Sequence, residues 1–173
     1  MMSPSHTCVC ILLAMVAVKS CGAAIFRIEA ESAEDNRTKI DRSEASNKTD
    51  VLLHENDELS LRFCLNGRTS VRILNVGYSN DGGADKCQIN NNTTKVGEFE
   101  SIVEYGSGTL WNIFRLSGEI GSDIILETGC NTITLLVKSA DDYGIEIDHI
   151  EVKVNDERLT EEVFRCNFVN CVE

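Results

Sequence analysis

Two glutamates stand two positions apart in the segment IFRIEAES, which covers residues 25–32. The segment alternates as a strand does, with its apolar residues on one face and Glu29 and Glu31 on the other. Two carboxylates on one face of a strand repel each other at neutral pH, so they need a counter-charge. Such a pair can help to hold a hard cation, since calcium takes about six to eight oxygen ligands. The alternative is that both are solvated edge residues paired with Arg27 or with a lysine.

A third carboxylate lies in the last extended segment, IEIDHIEVKV. Strand alternation places Asp148 on the same face as Ile150, Val152 and Val154, and this row is predicted to point inward. Burying a carboxylate costs several kcal/mol unless it is paired, and nearby carboxylates add to the repulsion. A cation shared with the acidic pair of the first strand would remove this cost.

The elements that must position these residues begin after an N-terminal secretory signal. Residues 1–24 contain an apolar stretch from Cys8 to Val18, too short to span a bilayer, followed by small residues. We therefore predict a signal peptide over 1–24, one domain over 25–155 and a cysteine-containing tail over 156–173. The mature protein is expected to be secreted and extracellular.

Secretion favours disulfide bonds between the cysteines that remain. Five lie beyond the signal, namely Cys64, Cys87, Cys130, Cys166 and Cys171. Cys64 falls on the outward face of its strand, so it could attach the tail to the outside of the domain. The alternative is a link to another chain. Because five is odd, one cysteine is either free or joined to another molecule, as in a disulfide-linked dimer.

Charge and glycosylation motifs narrow the classes of partner. The chain carries a net charge of −12 at pH 7, which makes nucleic acid and anionic membranes poor partners. Metal cations or basic proteins fit better, and the alternative is that the charge serves solubility alone. No later segment is apolar enough for membrane insertion. Glycosylation sequons predict a glycoprotein, with candidate sites at Asn36, Asn47, Asn91 and Asn92.

Short extended runs separated by turns predict an all-β fold. The runs include DELSLRFCL, RTSVRILNVGY, KCQI, EFESIVEY, LWNIFRL, SDIIL, NTITLLVK and IEIDHIEVKV. Asn66-Gly67 favours a hairpin between the first two runs, and TDVLLHEN is interpreted as a loop. Strands about ten residues apart without an amphipathic helix between them are typical of a sandwich or barrel. In the tail, TEEVFR predicts a helical turn.

Several of these segments form a pattern that has a known counterpart. FRIEAES, VRILNVGYSNDGG, GTLWNIFRL, LETGCNTITLLV and GIEIDHIEV follow one another along the chain. In this order and spacing they resemble the family 6 and family 35 carbohydrate-binding modules, which share a galactose-binding-domain-like jelly roll. The resemblance extends from about Ile25 to Val154. It implies a two-sheet antiparallel β-sandwich.

The resemblance also implies two sites. A structural calcium ion would join the first strand to the last, with Glu29, Glu31 and Asp148 as ligands. A sugar would stack on Trp111 in the loops at one end of the sandwich. Glu146 stands where those modules have an asparagine that donates to sugar hydroxyls, and a carboxylate accepts but does not donate.

The sugar site departs from the family pattern in a second way. The stacking aromatic expected in the loop before DELSLRF is missing, since TDVLLHEN has only Leu53 and His54 there. Tyr143, in the loop SADDYGIE, is the predicted substitute. The alternative for Trp111 is a core or rim position without a sugar contact.

Two functions follow from the sequence. The first is a secreted, non-catalytic carbohydrate-binding module that binds a glycan or glycoprotein, with a structural calcium site. The second is an extracellular adhesion or matrix protein that keeps the fold, has lost sugar binding and acts through a protein surface. No catalytic motif is found, and in so acidic a chain the acidic pairs do not identify a glycosidase acid and base.

Overall fold

The computed structural model describes residues 22–33 and 37–166. The predicted signal peptide up to Cys21, together with Asn36 and Cys171, lies outside the described residues. Within them, eleven strands form two antiparallel sheets, one of seven strands and one of four. The predicted two-sheet β-sandwich is therefore confirmed.

The larger sheet has the order β2-β3-β11-β5-β8, with β1 also paired to β11 and β9 also paired to β5. Its strands are β1 (Ala24–Glu29), β2 (Thr38–Asp41), β3 (Thr49–Leu53), β5 (Thr69–Ser79), β8 (Arg115–Leu116), β9 (Ile120–Leu126) and β11 (Ile145–Val154). The smaller sheet has the order β4-β10-β6-β7, with β4 (Glu58–Leu65), β6 (Lys86–Asn91), β7 (Thr94–Glu100) and β10 (Gly129–Ser139). A 3-10 turn covers Ala30–Ser32, and α1 covers Glu161–Phe164.

Alternating side chains explain why the two sheets face each other. In β4, Leu59, Leu61, Phe63 and Leu65 are buried, while the residues between them are exposed or half-buried. The buried rows of the other long strands meet this row in one hydrophobic core. A strand with one apolar face is stable only when that face is covered, so the alternation predicts the sandwich.

The turn at Asn66-Gly67 does not close a hairpin, and that prediction was wrong. β4 pairs with β10 in the smaller sheet, whereas β5 pairs with β11, β8 and β9 in the larger one. The chain therefore crosses from one sheet to the other at this turn. The physical reason is that a tight turn reverses the chain but does not decide which edge each strand finds, and both apolar rows are buried in the same core.

Two other segments differ from the expectation. TDVLLHEN was expected to be a loop, but β3 occupies Thr49–Leu53, and Val51 and Leu53 are fully buried. LWNIFRL was expected to be a strand, but it forms turns followed by the two-residue β8. In both cases short apolar runs gave too little periodicity to separate strand from loop.

One edge of β11 is shared by two strands, and this arrangement places the acidic residues. β3 pairs with residues 145–147 of β11, and β1 pairs with residues 149–154. Asp148 lies at the junction between them. The pairing with β5 also shifts here. Ile147 pairs with Tyr78 and His149 pairs with Gly77, so β11 advances by two residues while β5 advances by one. This bulge lets the buried row change from Ile147 to Ile150.

The tail closes the open side of the sandwich next to β1 and β4. Thr160 caps α1 by accepting a hydrogen bond from the Val163 amide. Phe164 is 1% exposed and stacks on Phe26 and Phe63, with ring centroids 4.3 Å and 5.1 Å away. The predicted helical turn is therefore confirmed. None of the helices in the described part of the chain has the length and apolarity needed to span a membrane.

Candidate functional site

The end of β1 and the middle of β11 bring two of the predicted carboxylates together. Glu29 is paired in register with His149, next to Asp148. One ligand atom from each of Glu29, Asp148 and His149 lies within 4.8 Å of the others. Glu31 lies in the 3-10 segment that follows Glu29 and is not one of these three residues; its carboxylate accepts from Asn47, in the loop that connects β2 to β3.

The loop between β2 and β3 donates hydrogen bonds to these carboxylates, but one of its hydroxyl protons faces two carboxylate oxygens. The amide and the hydroxyl of Ser46 lie 2.9 Å and 2.8 Å from Oδ1 of Asp148. The same hydroxyl lies 2.5 Å from Oε2 of Glu29. A hydroxyl has one proton and can donate it to one acceptor at a time. Two negative oxygens therefore face each other across one proton, an arrangement that a cation would stabilise.

Asp148 is held in its charged form although it is only 3% exposed. Burial opposes ionisation, but hydrogen bonds from His149 and from the hydroxyl and amide of Ser46 outweigh it, and the pKa of Asp148 is lowered. An ionised carboxylate only accepts, so the Nδ1 atom of His149, 2.8 Å from Oδ2, carries the proton. The imidazole therefore serves as a donor to Asp148 rather than as a metal ligand through Nδ1.

Neither Arg27 nor Lys39 pairs with the carboxylates of Glu29 and Glu31. Arg27 forms an ion pair with Glu151, the residue opposite it on β11, at 2.9 Å. Lys39 donates to the backbone carbonyl of Glu31 rather than to its carboxylate. Oε1 of Glu31 accepts from the Asn47 side chain at 2.7 Å, whereas Oε2 is buried without a partner among the described residues. The alternative of simple surface ion pairs is therefore not supported by these contacts.

The donor set fits calcium. Its candidate ligands are carboxylate oxygens, which hard cations such as calcium prefer, and one buried oxygen of Glu31 lacks a partner. A cavity of about 500 Å³ opens beside Glu29 and Glu31, and Arg27, Arg62 and Arg165 also line it. Glu29 and Asp148 are brought together as predicted, and Glu31 is adjacent through Asn47.

A second group of residues surrounds Trp111. This side chain is half-buried, and the guanidinium carbon of Arg42 lies 5.9 Å from its ring centroid. Arg42 donates two hydrogen bonds to the Glu146 carboxylate, from Nε at 2.8 Å and from Nη2. Glu146 is only 1% exposed, so a direct sugar contact would require this ion pair to open. Sequence reasoning missed Arg42, which lies far from Glu146 along the chain.

Asp50 lies beneath the same ion pair and is fully buried. Burial, followed by the neighbouring Glu146 carboxyl, raises the pKa of Asp50 to about 8. Asp50 is therefore largely protonated at neutral pH, and the Glu146 carboxylate forms the ion pair with Arg42.

The loops at this end of the sandwich are held by aspartates. The carboxylate of Asp81 accepts from the amides of Gly106 and Leu110, which fixes the loop that carries Trp111. Asp141 accepts from the amides of Gly83 and Tyr143 and so joins the next loop to the same segment.

These loops carry exposed aromatic residues. Tyr143, the predicted substitute for the missing aromatic, is 65% exposed, and Tyr105, which the sequence analysis did not single out, is 79% exposed. The exposed fraction of either tyrosine could not be predicted from the sequence, because both lie in irregular loops.

Three cysteines lie close together where the tail meets β4, and a fourth is a buried thiol. Cys64 is bonded to Cys166, which confirms attachment of the tail to β4. Cys130, the cross-strand neighbour of Cys64, has its sulfur 3.5 Å from that of Cys64. Cys87 is a free thiol inside the core, where burial raises its pKa to about 12. An intermolecular disulfide through Cys87 would require the core to open.

The predicted glycosylation sites differ in their surroundings. Asn92 is exposed at the turn between β6 and β7, with φ 52°, and Asn91 is half-buried beside it. Asn47 is exposed, but its amide is bonded to Glu31 in the carboxylate group.

Comparison with known proteins supports the fold. No protein-family model and no curated protein sequence matches the chain. A family 6 carbohydrate-binding module of a laminarinase from Zobellia galactanivorans aligns with a TM-score of 0.54 at 16% identity, over 75% of this chain and 98% of the module. A family 35 module from Clostridium thermocellum aligns with a TM-score of 0.55 at 18% identity, over 75% and 97% of the two chains.

The same fold occurs in a protein of a different kind. The insecticidal delta-endotoxin Cry8Ea1 from Bacillus thuringiensis aligns with a TM-score of 0.60 at 13% identity, over 75% of this chain and 24% of the toxin. At these identities the likeness shows the fold, which is the fold of the family 6 and family 35 modules. Function must be argued from the residues of the sites.

Proposed function

We propose that this chain is a secreted, non-catalytic carbohydrate-binding protein whose sandwich is stabilised by calcium. The observation that carries the glycan part is Trp111, a half-buried indole on a loop fixed by Asp81, with the Arg42 guanidinium over its ring. An aromatic face next to a polar donor suits a sugar, which has apolar C–H groups and hydroxyls. The shared fold with carbohydrate-binding modules agrees with this assignment.

A glycan array with purified protein tests this function. We expect binding to one class of glycan and its loss in Trp111→Ala. Ile113→Ala is the matched control, because Ile113 lies on the same loop and is 38% exposed. Retention of full binding by Trp111→Ala would contradict the proposal.

The calcium part is supported by the shared Ser46 proton, the ionised Asp148 and the unpartnered oxygen of Glu31. When bound, calcium would neutralise these carboxylates and join β1 to β11. A ligand at about 100 times its Kd stabilises a protein by about 2.7 kcal/mol. For a domain of this size that is roughly 5–10 °C in Tm.

Thermal denaturation in excess calcium and in chelator measures this effect. We expect calcium to raise the Tm of the wild type and to have little effect on Asp148→Asn. Asp142→Asn, on an exposed loop, is the control and should respond as the wild type does. Identical melting curves of the wild type with and without calcium would exclude the site.

The second candidate function is an adhesion or matrix role through a protein surface. It is favoured by exposed apolar side chains on the segment that precedes β8, namely Ile102, Val103, Tyr105 and Ile113. An apolar group of this kind on a surface is typical of an interaction site. The array separates the two functions, because no glycan would bind if this second role were correct.

A further inference from the structure

Arg42 is held in a fixed position by a partner that lies beneath it. Its Nε and Nη2 atoms are used by Glu146 in a two-pronged ion pair. The Arg42 side chain is 23% exposed and that of Glu146 is 2% exposed. The carboxylate is therefore under the surface, and the guanidinium is the part of the pair that a ligand can reach.

The remaining amino group of Arg42 is available for recognition. Among the described residues, no hydrogen bond uses Nη1, whose two protons can donate. The guanidinium carbon also lies over the Trp111 ring, 5.9 Å from its centre, so the donor and the indole belong to one surface. An arginine already fixed by its ion pair loses little conformational entropy when it binds, which favours affinity.

We propose that Arg42 is the polar contact of the Trp111 site and that the site takes an uncharged glycan, whose hydroxyl oxygens accept from Nη1. This inference rests on the proposed function. Glu146 then acts as a positioning residue that orients Arg42, rather than as a sugar contact.

The local charge is what selects an uncharged glycan. The Glu146 carboxylate cancels the charge of Arg42 at hydrogen-bond distance. The whole chain carries a net charge of −12. A carboxylate or sulfate on the sugar would approach a neutral pair in a negative field, so it would gain little attraction and would lose hydration.

The experiment uses two forms of one sugar. The first is the uncharged oligosaccharide that binds best on the array, and the second is the same oligosaccharide with its primary hydroxyls oxidised to carboxylates. Affinities are measured by calorimetry for the wild type and two variants. Arg42→Lys keeps a positive charge for Glu146 but lacks the planar fork of donors. The double variant Arg42→Gln with Glu146→Gln removes both charges together and so leaves no unpaired buried carboxylate.

We expect Arg42→Lys and the double variant to bind the uncharged sugar at least about tenfold more weakly, the effect of losing one charge-assisted hydrogen bond. Glu146→Gln alone keeps Arg42 but removes its ionic anchor, and should weaken binding less than Arg42→Lys does. The wild type should bind the oxidised sugar more weakly than the uncharged one. Melting temperatures of all variants are recorded, so that an unfolded variant is recognised.

Each other outcome overturns a distinct statement. If Arg42→Lys and the double variant bind within about twofold of the wild type while Trp111→Ala does not bind, the role of Arg42 is wrong and the glycan function stands. If the oxidised sugar binds more tightly, the assignment to uncharged glycans is wrong. If the wild type binds no glycan, the proposed function fails, and this inference fails with it.

Discussion

Phe164 lets the contribution of the tail to the fold be measured. Its side chain is 1% exposed and lies against Phe26 at 4.3 Å and Phe63 at 5.1 Å between ring centroids. Replacing a buried phenylalanine by alanine costs about 3–5 kcal/mol, which includes the transfer of the ring and the cavity that remains. Stacked pairs contribute roughly 0.5–1.5 kcal/mol each beyond the buried area, so we expect Phe164→Ala to fall near the upper end of this range.

Urea denaturation at equilibrium measures this loss. The chain has a single tryptophan, Trp111, which reports unfolding by fluorescence, and far-ultraviolet circular dichroism gives a second probe. Glu162→Ala is the control, because Glu162 is an exposed residue of α1 and its loss should change stability by less than about 0.5 kcal/mol. A cost below about 1 kcal/mol for Phe164→Ala would show that the tail is not part of the core.

Three further perturbations follow from the structure. Cys166→Ser removes the disulfide to Cys64, which is 102 residues away in the sequence, and should lower the free energy of unfolding by about 4 kcal/mol in urea denaturation. Under reducing conditions the wild type also lacks this bond, so the difference between the two proteins should disappear. Gly77→Ala places a Cβ 2.5 Å from the His149 ring, so we expect a loss of about 1–3 kcal/mol and a lower Tm, and an unchanged Tm would refute this close contact. The pKa of Asp50 is raised to about 8, so the folded chain keeps a proton that the unfolded chain releases near pH 4. The free energy of unfolding should therefore fall as the pH rises from about 4 to about 8, by up to roughly 1.4 kcal/mol per pH unit. In metal-free protein Asp50→Asn should flatten that slope, and an equal slope in the variant would contradict the assignment.

The sequence predicted those parts of the fold that depend on local periodicity. The row of Leu59, Leu61 and Phe63 identified β4 because every second side chain is apolar and must be covered. The pairing of strands could not be obtained in this way. Asn66-Gly67 marks a reversal of the chain, and whether the two strands then share a sheet is decided by contacts with distant strands.

The acidic residues were found from the sequence because their types are costly in a strand. Glu29 and Asp148 meet as expected, and Asp148 is buried. Its place was nevertheless only partly predictable, because simple alternation assigned it to the row of Ile150. The bulge after Ile147 breaks that alternation, and a bulge depends on the pairing of β11 with β5, which leaves no local signal in the sequence.

Both candidate sites depend on the loop over residues 42–48, which no pattern in the sequence predicted. The pairing of β3 with β11 ends at Ile147 of β11, and the pairing of β1 with β11 begins at His149 of β11. A gap therefore opens along this edge of β11. The loop enters this gap, where Ser46 reaches Asp148, while Arg42 at the start of the loop reaches Glu146. The two acidic residues lie two positions apart on one strand, but their partners are about a hundred positions away. Only the meeting of β1 and β3 at this edge brings the loop to both sites.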